Sequence, residues 1–159
     1  QLILVRHAKS SWDLPVQDVD RPLSNRGIQN ALLVSDNAVQ YLPETFIIWS
    51  SAAKRAMETA IIFTQNFNCP IESIIFKREL YTFDVHKLET QIRNCNDQFD
   101  NLILFGHNEA ITNFVNKFGN VYVENVSTSG FVSISFDTDN WATISKGKTI
   151  KILFPKDLQ

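Results

Sequence analysis

Little in this chain offers itself for disulfide, membrane or nucleic-acid chemistry. It has two cysteines in 159 residues. Cys69 and Cys95 lack Cys-x-x-Cys spacing and neither lies near a histidine in sequence, so they read as buried thiols, as expected in a reducing cytoplasm. An excess of basic residues is also missing. The formal net charge of −2 argues against a general nucleic-acid binder, and no nucleic acid is expected among the partners. Any anion site must then be local. No apolar run approaches the ~18 residues that span a bilayer, so no membrane partner is expected. The opening apolar run is too short for a signal peptide and leads straight into Arg6-His7. The chain opens at Gln1, from which we expect an initiator methionine and a few residues to be missing. These absences together predict a cytoplasmic protein. The three histidines stand far apart, without the spacing of paired metal ligands. There is no internal repeat, low-complexity segment or linker.

What is present is the composition of a soluble globular protein, 44% apolar and 20% charged. The length predicts one domain, residues 1–159, with a real core. The most telling stretch comes first. Leu2-Ile3-Leu4-Val5 is a short apolar strand, and Arg6-His7-Ala8-Lys9-Ser10-Ser11-Trp12 follows at once. In an open α/β sheet, ligands bind beyond the carboxyl ends of the strands. There a histidine can serve as nucleophile or proton carrier, and an arginine as the fork that holds phosphate or carboxylate. The pattern recurs. Leu102-Ile103-Leu104-Phe105 runs into Gly106-His107-Asn108-Glu109, and Phe46-Ile47-Ile48-Trp49 runs into Ser50-Ser51-Ala52-Ala53-Lys54-Arg55. Three strand ends thus deliver Arg6, His7, Arg55 and His107, and we expect them to converge.

Between these strands the apolar spacing turns helical. Ile28, Ala31, Leu32, Ser35, Val39 and Leu42 predict a helix over 24–41 with Ser24 as N-cap. Gly27 in its first turn lets another segment approach closely. Ala53, Ala56, Ala60, Phe63 and Phe67 predict a helix over 53–67. Arg55 falls in its first turn, which disfavours a cation on dipole grounds, unless arginine and backbone N–H groups share one anion. Residues 73–77 read as a third strand, 85–96 as a helix, and 109–118 as a helix with Asn108 as N-cap. The strand over 102–105 is the most apolar and is expected to be central. Asp13 to Pro22 reads as a loop. In the tail, 131–136 and 149–154 alternate polar and apolar residues, which predicts a hairpin or edge pair. The expected fold is α/β, a single three-layer α/β/α domain with a mostly parallel central sheet and an antiparallel edge strand.

Several of these stretches resemble the histidine phosphatase superfamily, with its phosphoglycerate mutase-like fold. Within it, the chain is similar to the SixA-type phosphohistidine phosphatases. The residues that carry the likeness are Leu4 to Trp12, Asp20-Arg21-Pro22-Leu23-Ser24-Asn25-Arg26-Gly27, Ser50 to Ala60, Gly106-His107-Asn108 and the closing Pro155-Lys156. The resemblance implies a metal-independent phosphatase with no cofactor. His7 would be the nucleophile that becomes phosphorylated. Arg6, Arg55 and His107 would complete the phosphate pocket, and Ser10 would add a phosphate contact. The implied partner is a phosphorylated substrate, a phosphohistidine-bearing protein. Two other readings stay open: a small-molecule phosphomonoesterase, and a phosphate-binding regulatory module with weak turnover.

Two expectations bear on the chemistry. His7 must be neutral at the attacking nitrogen, so its other nitrogen should be held as a donor, to backbone. The general acid is missing from its usual place. Many relatives carry a glutamate two positions beyond a leucine after the third strand, and here Leu80-Tyr81-Thr82 puts Thr82 there. Glu79, Asp84, Asp18 and Asp20 remain as candidates, as does no acid at all. A phosphohistidine ring can leave as neutral imidazole if protonated, so the missing glutamate favours that substrate over ordinary esters. The short chain leaves little room for a helical lid, which predicts a shallow, open pocket. His86 reads as a surface residue, and Lys9 either as an aid to phosphate steering or as a solvated rim charge. Trp12, Trp49 and Trp141 read as packing residues, with Trp12 at the mouth as the alternative. Ser127-Thr128-Ser129-Gly130 reads as a plain turn, with contact to the pocket as the alternative.

Overall fold

Alternation along the strands sets the architecture, because the four inner strands bury both of their faces. A computed structural model describes residues 1–159. In chain order the main elements are β1 (Leu2–Arg6), α1 (Asn25–Ala38), β2 (Ile47–Ser51), α2 (Lys54–Asn66), β3 (Ile74–Lys77), α3 (Val85–Arg93), β4 (Leu102–Gly106), α4 (Ala110–Phe118), β5 (Phe131–Ser135) and β6 (Lys148–Leu153). The six strands form one sheet in the order β3-β2-β4-β1-β5-β6. β1, β2, β3 and β4 run parallel, β5 runs antiparallel to β1, and β6 closes a hairpin with β5 at the edge. The expected mixed sheet is present, with β4 and β1 at its centre. No helix is long and apolar enough to cross a membrane.

Leu2, Leu4, Leu102 and Leu104 point to one face, where they pack with Leu88 and Ile92 of α3 and Ile111, Phe114 and Val115 of α4. Ile3, Val5, Ile103 and Phe105 point to the other, against Ala31 and Val34 of α1 and Ala60 and Phe63 of α2. A side-chain period of two on continuously apolar strands makes this a sheet covered on both sides. From β1 the chain crosses through α1 to β2. From β4 it leaves through α4, on the opposite face, to β5. Adjacent parallel strands β1 and β4 therefore send their connections opposite ways, and the crevice beyond their carboxyl ends is the topological switch point of the sheet.

Some boundaries shift. The helix expected over 24–41 is α1 followed by a short 3-10 turn at Val39–Tyr41. Ser24 caps it as expected, accepting from the Gly27 N–H. The helix expected over 85–96 stops at Arg93, where the Asn94 N–H closes back on the Thr90 and Gln91 carbonyls. Asn108 is not the N-cap of α4; Glu109 takes that position with no side-chain bond. Asn108 reaches over it instead, its Oδ1 accepting from the Thr112 N–H at 3.1 Å and the Thr112 hydroxyl at 2.9 Å. Gly27 meets the close approach expected of it: a Cβ there would strike the Lys9 carbonyl oxygen.

Candidate active site

β1 and β4 are in register, with Arg6 opposite Gly106. The residues that follow, His7 and His107, therefore leave the sheet side by side. Their ring centroids are 5.2 Å apart. Arg55 comes to them from the first turn of α2. It is 3% exposed, and its Nε lies 3.4 Å from His7 Nε2. Arg6 is half-buried and donates from Nη1 to the Val126 carbonyl at 2.9 Å, while its Nε is buried without a partner. The expected convergence of Arg6, His7, Arg55 and His107 on one strand-end crevice is what the structure contains. Arg55 is no surface residue: it turns inward across the mouth of that crevice.

The backbone fixes the chemistry of His7. Its Nδ1 sits 2.7 Å from the Ala8 carbonyl oxygen, which can only accept, so Nδ1 carries the proton. Nε2 is left with its lone pair, turned toward the Arg55 N–H. Burial pushes the His7 imidazole down to about 4, with Arg55, Arg6 and Arg21 adding to the effect against the Ala8 carbonyl. At neutral pH the ring is therefore uncharged and nucleophilic. His107 is 1% exposed, and its Nε2 lies 2.8 Å from the Ser51 hydroxyl at the end of β2. Its Nδ1 is buried without a partner. Burial, with His7 and Arg55 next, pushes it down to about 2.

Around this pair lies a second set of residues that the strand-end pattern did not reveal. Asp18, in a 3-10 turn of the loop Asp13–Pro22, pairs with Arg55 (Oδ2 to Nη2, 3.0 Å) and with Arg21 (Oδ1 to Nη2, 3.1 Å). Arg55 Nη1 also donates to the Asp18 carbonyl at 2.7 Å. The Tyr81 hydroxyl donates to Asp18 Oδ2. The Tyr81 and Phe83 rings lie 5.3 and 5.6 Å from the His107 ring. The Tyr81 hydroxyl first, then Arg55 and Arg21, hold the Asp18 carboxyl down to about 2, against its partial burial. Thr59 ties the nucleophile segment to α2, its hydroxyl accepting from the Ala8 N–H at 2.9 Å and donating to the Arg55 carbonyl at 2.7 Å. The signals for Asp18 and Arg21 were slight: Asp18 stood among the acid candidates of an acidic loop, and Arg21 in a stretch that carries the resemblance.

The other expectations resolve as follows. Ser10 hydrogen-bonds through its hydroxyl to Arg21 and makes no bond to Arg6, His7, Arg55 or His107, so it stands one step back from the cluster. Among the acid candidates, Asp18 is ionised and ion-paired. Asp84 caps α3 by accepting from the His86 N–H. Glu79 and Asp20 are exposed and make no side-chain bond to the cluster. Thr82 accepts from the Asp84 N–H. His86 and Lys9 are exposed, as expected. Trp49 and Trp141 are buried, but Trp12 is 78% exposed. It lies at the rim because the Arg21 guanidinium covers its ring, 3.6 Å from the centroid. Ser127–Gly130 is more than a plain turn. The Ser129 N–H donates to both the Arg6 and His7 carbonyls, and the Gly130 carbonyl accepts from the Arg6 N–H, so this segment braces the nucleophile's backbone.

The family model of the histidine phosphatase superfamily (branch 1) matches residues 2–112. An uncharacterised chloroplastic protein of Arabidopsis thaliana is 47% identical over a stretch that is 37% of this chain and 28% of that protein. A 2,3-bisphosphoglycerate-dependent phosphoglycerate mutase of Gloeothece citriformis is 33% identical over 54% of this chain and 39% of its own length. The chain thus spans well under half the length of these relatives. Among solved structures, the protein histidine phosphatase SixA complexed with tungstate superposes with a TM-score of 0.82, at 20% identity and 99% coverage of both chains. At that identity the likeness establishes the fold.

Proposed function

We propose, on the premise that this chain belongs to the histidine phosphatase superfamily, that residues 1–159 act as one domain hydrolysing phosphohistidine on a protein through a phospho-His7 intermediate. The observation that carries the reading is the bond from His7 Nδ1 to the Ala8 carbonyl, which leaves Nε2 unprotonated and directed at Arg55. Attack by a neutral imidazole splits hydrolysis into two displacements, each easier than direct attack by water. In the first, the Nε2 lone pair forms a bond to phosphorus and the leaving group departs. In the second, water releases phosphate from His7.

Arg6 and Arg55 would neutralise the charge spread over the equatorial oxygens, where phosphoryl transfer needs help. His107 would donate from Nδ1. Arg6 Nε and His107 Nδ1 are both buried nitrogens without partners, and Nδ1 is a donor when the Ser51 hydroxyl donates to Nε2. Each such group costs about 1–3 kcal/mol, which an anion accepting from it recovers. Ser10, tied to Arg21, would act by fixing that guanidinium, not by touching phosphate.

The preference for phosphohistidine rests on the missing proton donor. Asp18 is held ionised, and Asp84 and Thr82 are committed to local caps. An alkoxide leaving group without an acid forfeits ~10²–10⁴ in rate. A protonated phosphohistidine ring needs none. The test is phosphate release from a phosphohistidine-bearing phosphotransfer protein, run beside a panel of small phosphomonoesters. Preference for the protein is expected, with a labile phosphoenzyme lost in His7→Ala. Full activity in His7→Ala, or preference for an alkyl phosphate, sinks the reading.

A further inference from the structure

We propose that Asp18 selects for a substrate whose phosphorylated ring is cationic: its carboxylate yields Arg55 to the incoming phosphate and then accepts the ring N–H of the departing imidazole. The proposal rests on the phosphohistidine reading above and adds to it the residue that reads the leaving group.

The carboxylate is saturated as it stands. Oδ1 accepts from Arg21 Nε and Nη2 at 3.3 and 3.1 Å, and Oδ2 from Arg55 Nη2 at 3.0 Å and from the Tyr81 hydroxyl. Those four donors fill the roughly four lone-pair positions of a carboxylate. Yet the side chain is 45% exposed, so it stands at the mouth of the crevice, not inside it. The same guanidinium that holds Oδ2 reaches His7 Nε2 with its Nε. Nucleophile and carboxylate are thus separated by the span of one guanidinium plus a contact at each end.

A phosphoryl group attacked by His7 competes for that guanidinium. Phosphate carries more charge than a carboxylate and suits the fork, so it displaces Oδ2 from Arg55. Asp18 stays tethered through Arg21 and now has an oxygen short of a donor, close to the bound phosphate. An ordinary phosphate ester brings no donor there and sets its dianion against the carboxylate, which disfavours it. A protonated phosphohistidine ring brings an N–H with a positive charge. Beside it the Phe83 ring, 53% exposed and 5.7 Å from the Tyr81 ring, gives a planar cation a face to stack on.

The transfer balances without an acid. The His7 Nε2 lone pair forms the new N–P bond. The old P–N bond breaks and its electron pair returns to the departing nitrogen. The proton stays on the far ring nitrogen, hydrogen-bonded to Asp18, and neutral imidazole leaves. The carboxylate acts beforehand, since a neighbouring anion favours the protonated form of the substrate ring.

The test compares wild type with Asp18→Asn on a phosphohistidine protein and on p-nitrophenyl phosphate, whose leaving group needs no proton. The ratio of the two kcat/KM values should fall about 10- to 100-fold, the range for loss of a charged hydrogen bond. Inorganic phosphate should inhibit the variant at lower concentration, because its resident competitor has lost its charge. Asp18→Glu should restore part of the ratio. If Asp18→Asn does not fold, Asp18→Ser is read the same way. Wild type active on both substrates, with a ratio that does not move in the neutral variant, overturns this proposal alone. Wild type that cleaves the aryl phosphate but no phosphohistidine overturns the substrate reading, and this proposal with it.

Discussion

Acid should destabilise this protein through its two buried imidazoles. His7 and His107 are pushed down to about 4 and about 2, burial being the largest cause of each. In the unfolded chain both titrate near 6.5. A base with a lowered folded pKa binds fewer protons when folded, so stability rises with pH across the window between the two values and is lost as pH falls through it. At pH 5 the loss is capped by the unfolded value alone. The gap of about 1.5 units is worth about 2 kcal/mol per imidazole, however low the folded value lies. The two together should cost about 4 kcal/mol between pH 7 and pH 5, against a typical total of about 5–15. Asp18, also held down to about 2, acts in the same direction, but only as pH falls below its ordinary value near 3.8. Urea melts at pH 7 and pH 5 measure the difference. His7→Gln should remove about half of it. A wild-type loss under about 1 kcal/mol, or one that His7→Gln leaves intact, would refute the assignment of neutral, buried rings.

Other substitutions test the scaffold. Gly27→Ala drives a methyl into the Lys9 carbonyl and should cost about 1–3 kcal/mol in a thermal melt, as overpacking does. Ser51→Ala removes the hydroxyl that holds His107 Nε2. It should lower kcat about tenfold or more and also lower Tm, because the buried Ala53 N–H loses the same hydroxyl as its acceptor. Trp12→Ala uncovers the Arg21 guanidinium at an exposed site. Its effect on Tm should be small, while KM for a phosphohistidine protein rises; an unchanged KM argues that the rim tryptophan plays no part.

The parts of the site legible in the sequence are those held by regular structure. His7 and His107 follow β1 and β4, which run in register, so two apolar strands ending in the same way were enough to bring the rings together. Arg55 was legible as a misplaced cation in a helix's first turn, and burial explains it. Asp18, Arg21 and Tyr81 were harder, because they lie on a loop and 3-10 turns, where no hydrophobic period fixes which way a side chain points. Their positions follow from one another: Asp18 sits where Arg55, Arg21 and Tyr81 all donate to it. Trp12 misled for the same reason. A large aromatic ring is usually packed, but here a guanidinium covers it and the surface exposes it. Asn108 was expected one residue away from its role, since a side chain can bond into a helix's first turn from outside the capping position.

Net charge hid the site altogether. The chain carries −2 overall, which points away from anions. The charged groups acting on the two imidazoles are Arg6, Arg21, Arg55 and Asp18, three positive and one negative, for a local balance of +2. That is the charge of a phosphate dianion with the sign reversed. Both rings being neutral, neither adds to the count, so His7 can attack without surrendering a proton first. The balance also explains why a carboxylate belongs in an anion pocket. Three unpaired guanidinium groups in partial burial would repel one another and lose hydration, and Asp18 offsets that without matching their full charge. An Arg21→Gln change drops the balance to +1 and frees Asp18 from its tether. Phosphate inhibition should then weaken about tenfold or more, the scale of one charge-assisted hydrogen bond. An unchanged inhibition constant would mean that Arg21 sits outside the field felt by phosphate, and that the charge count is wrong.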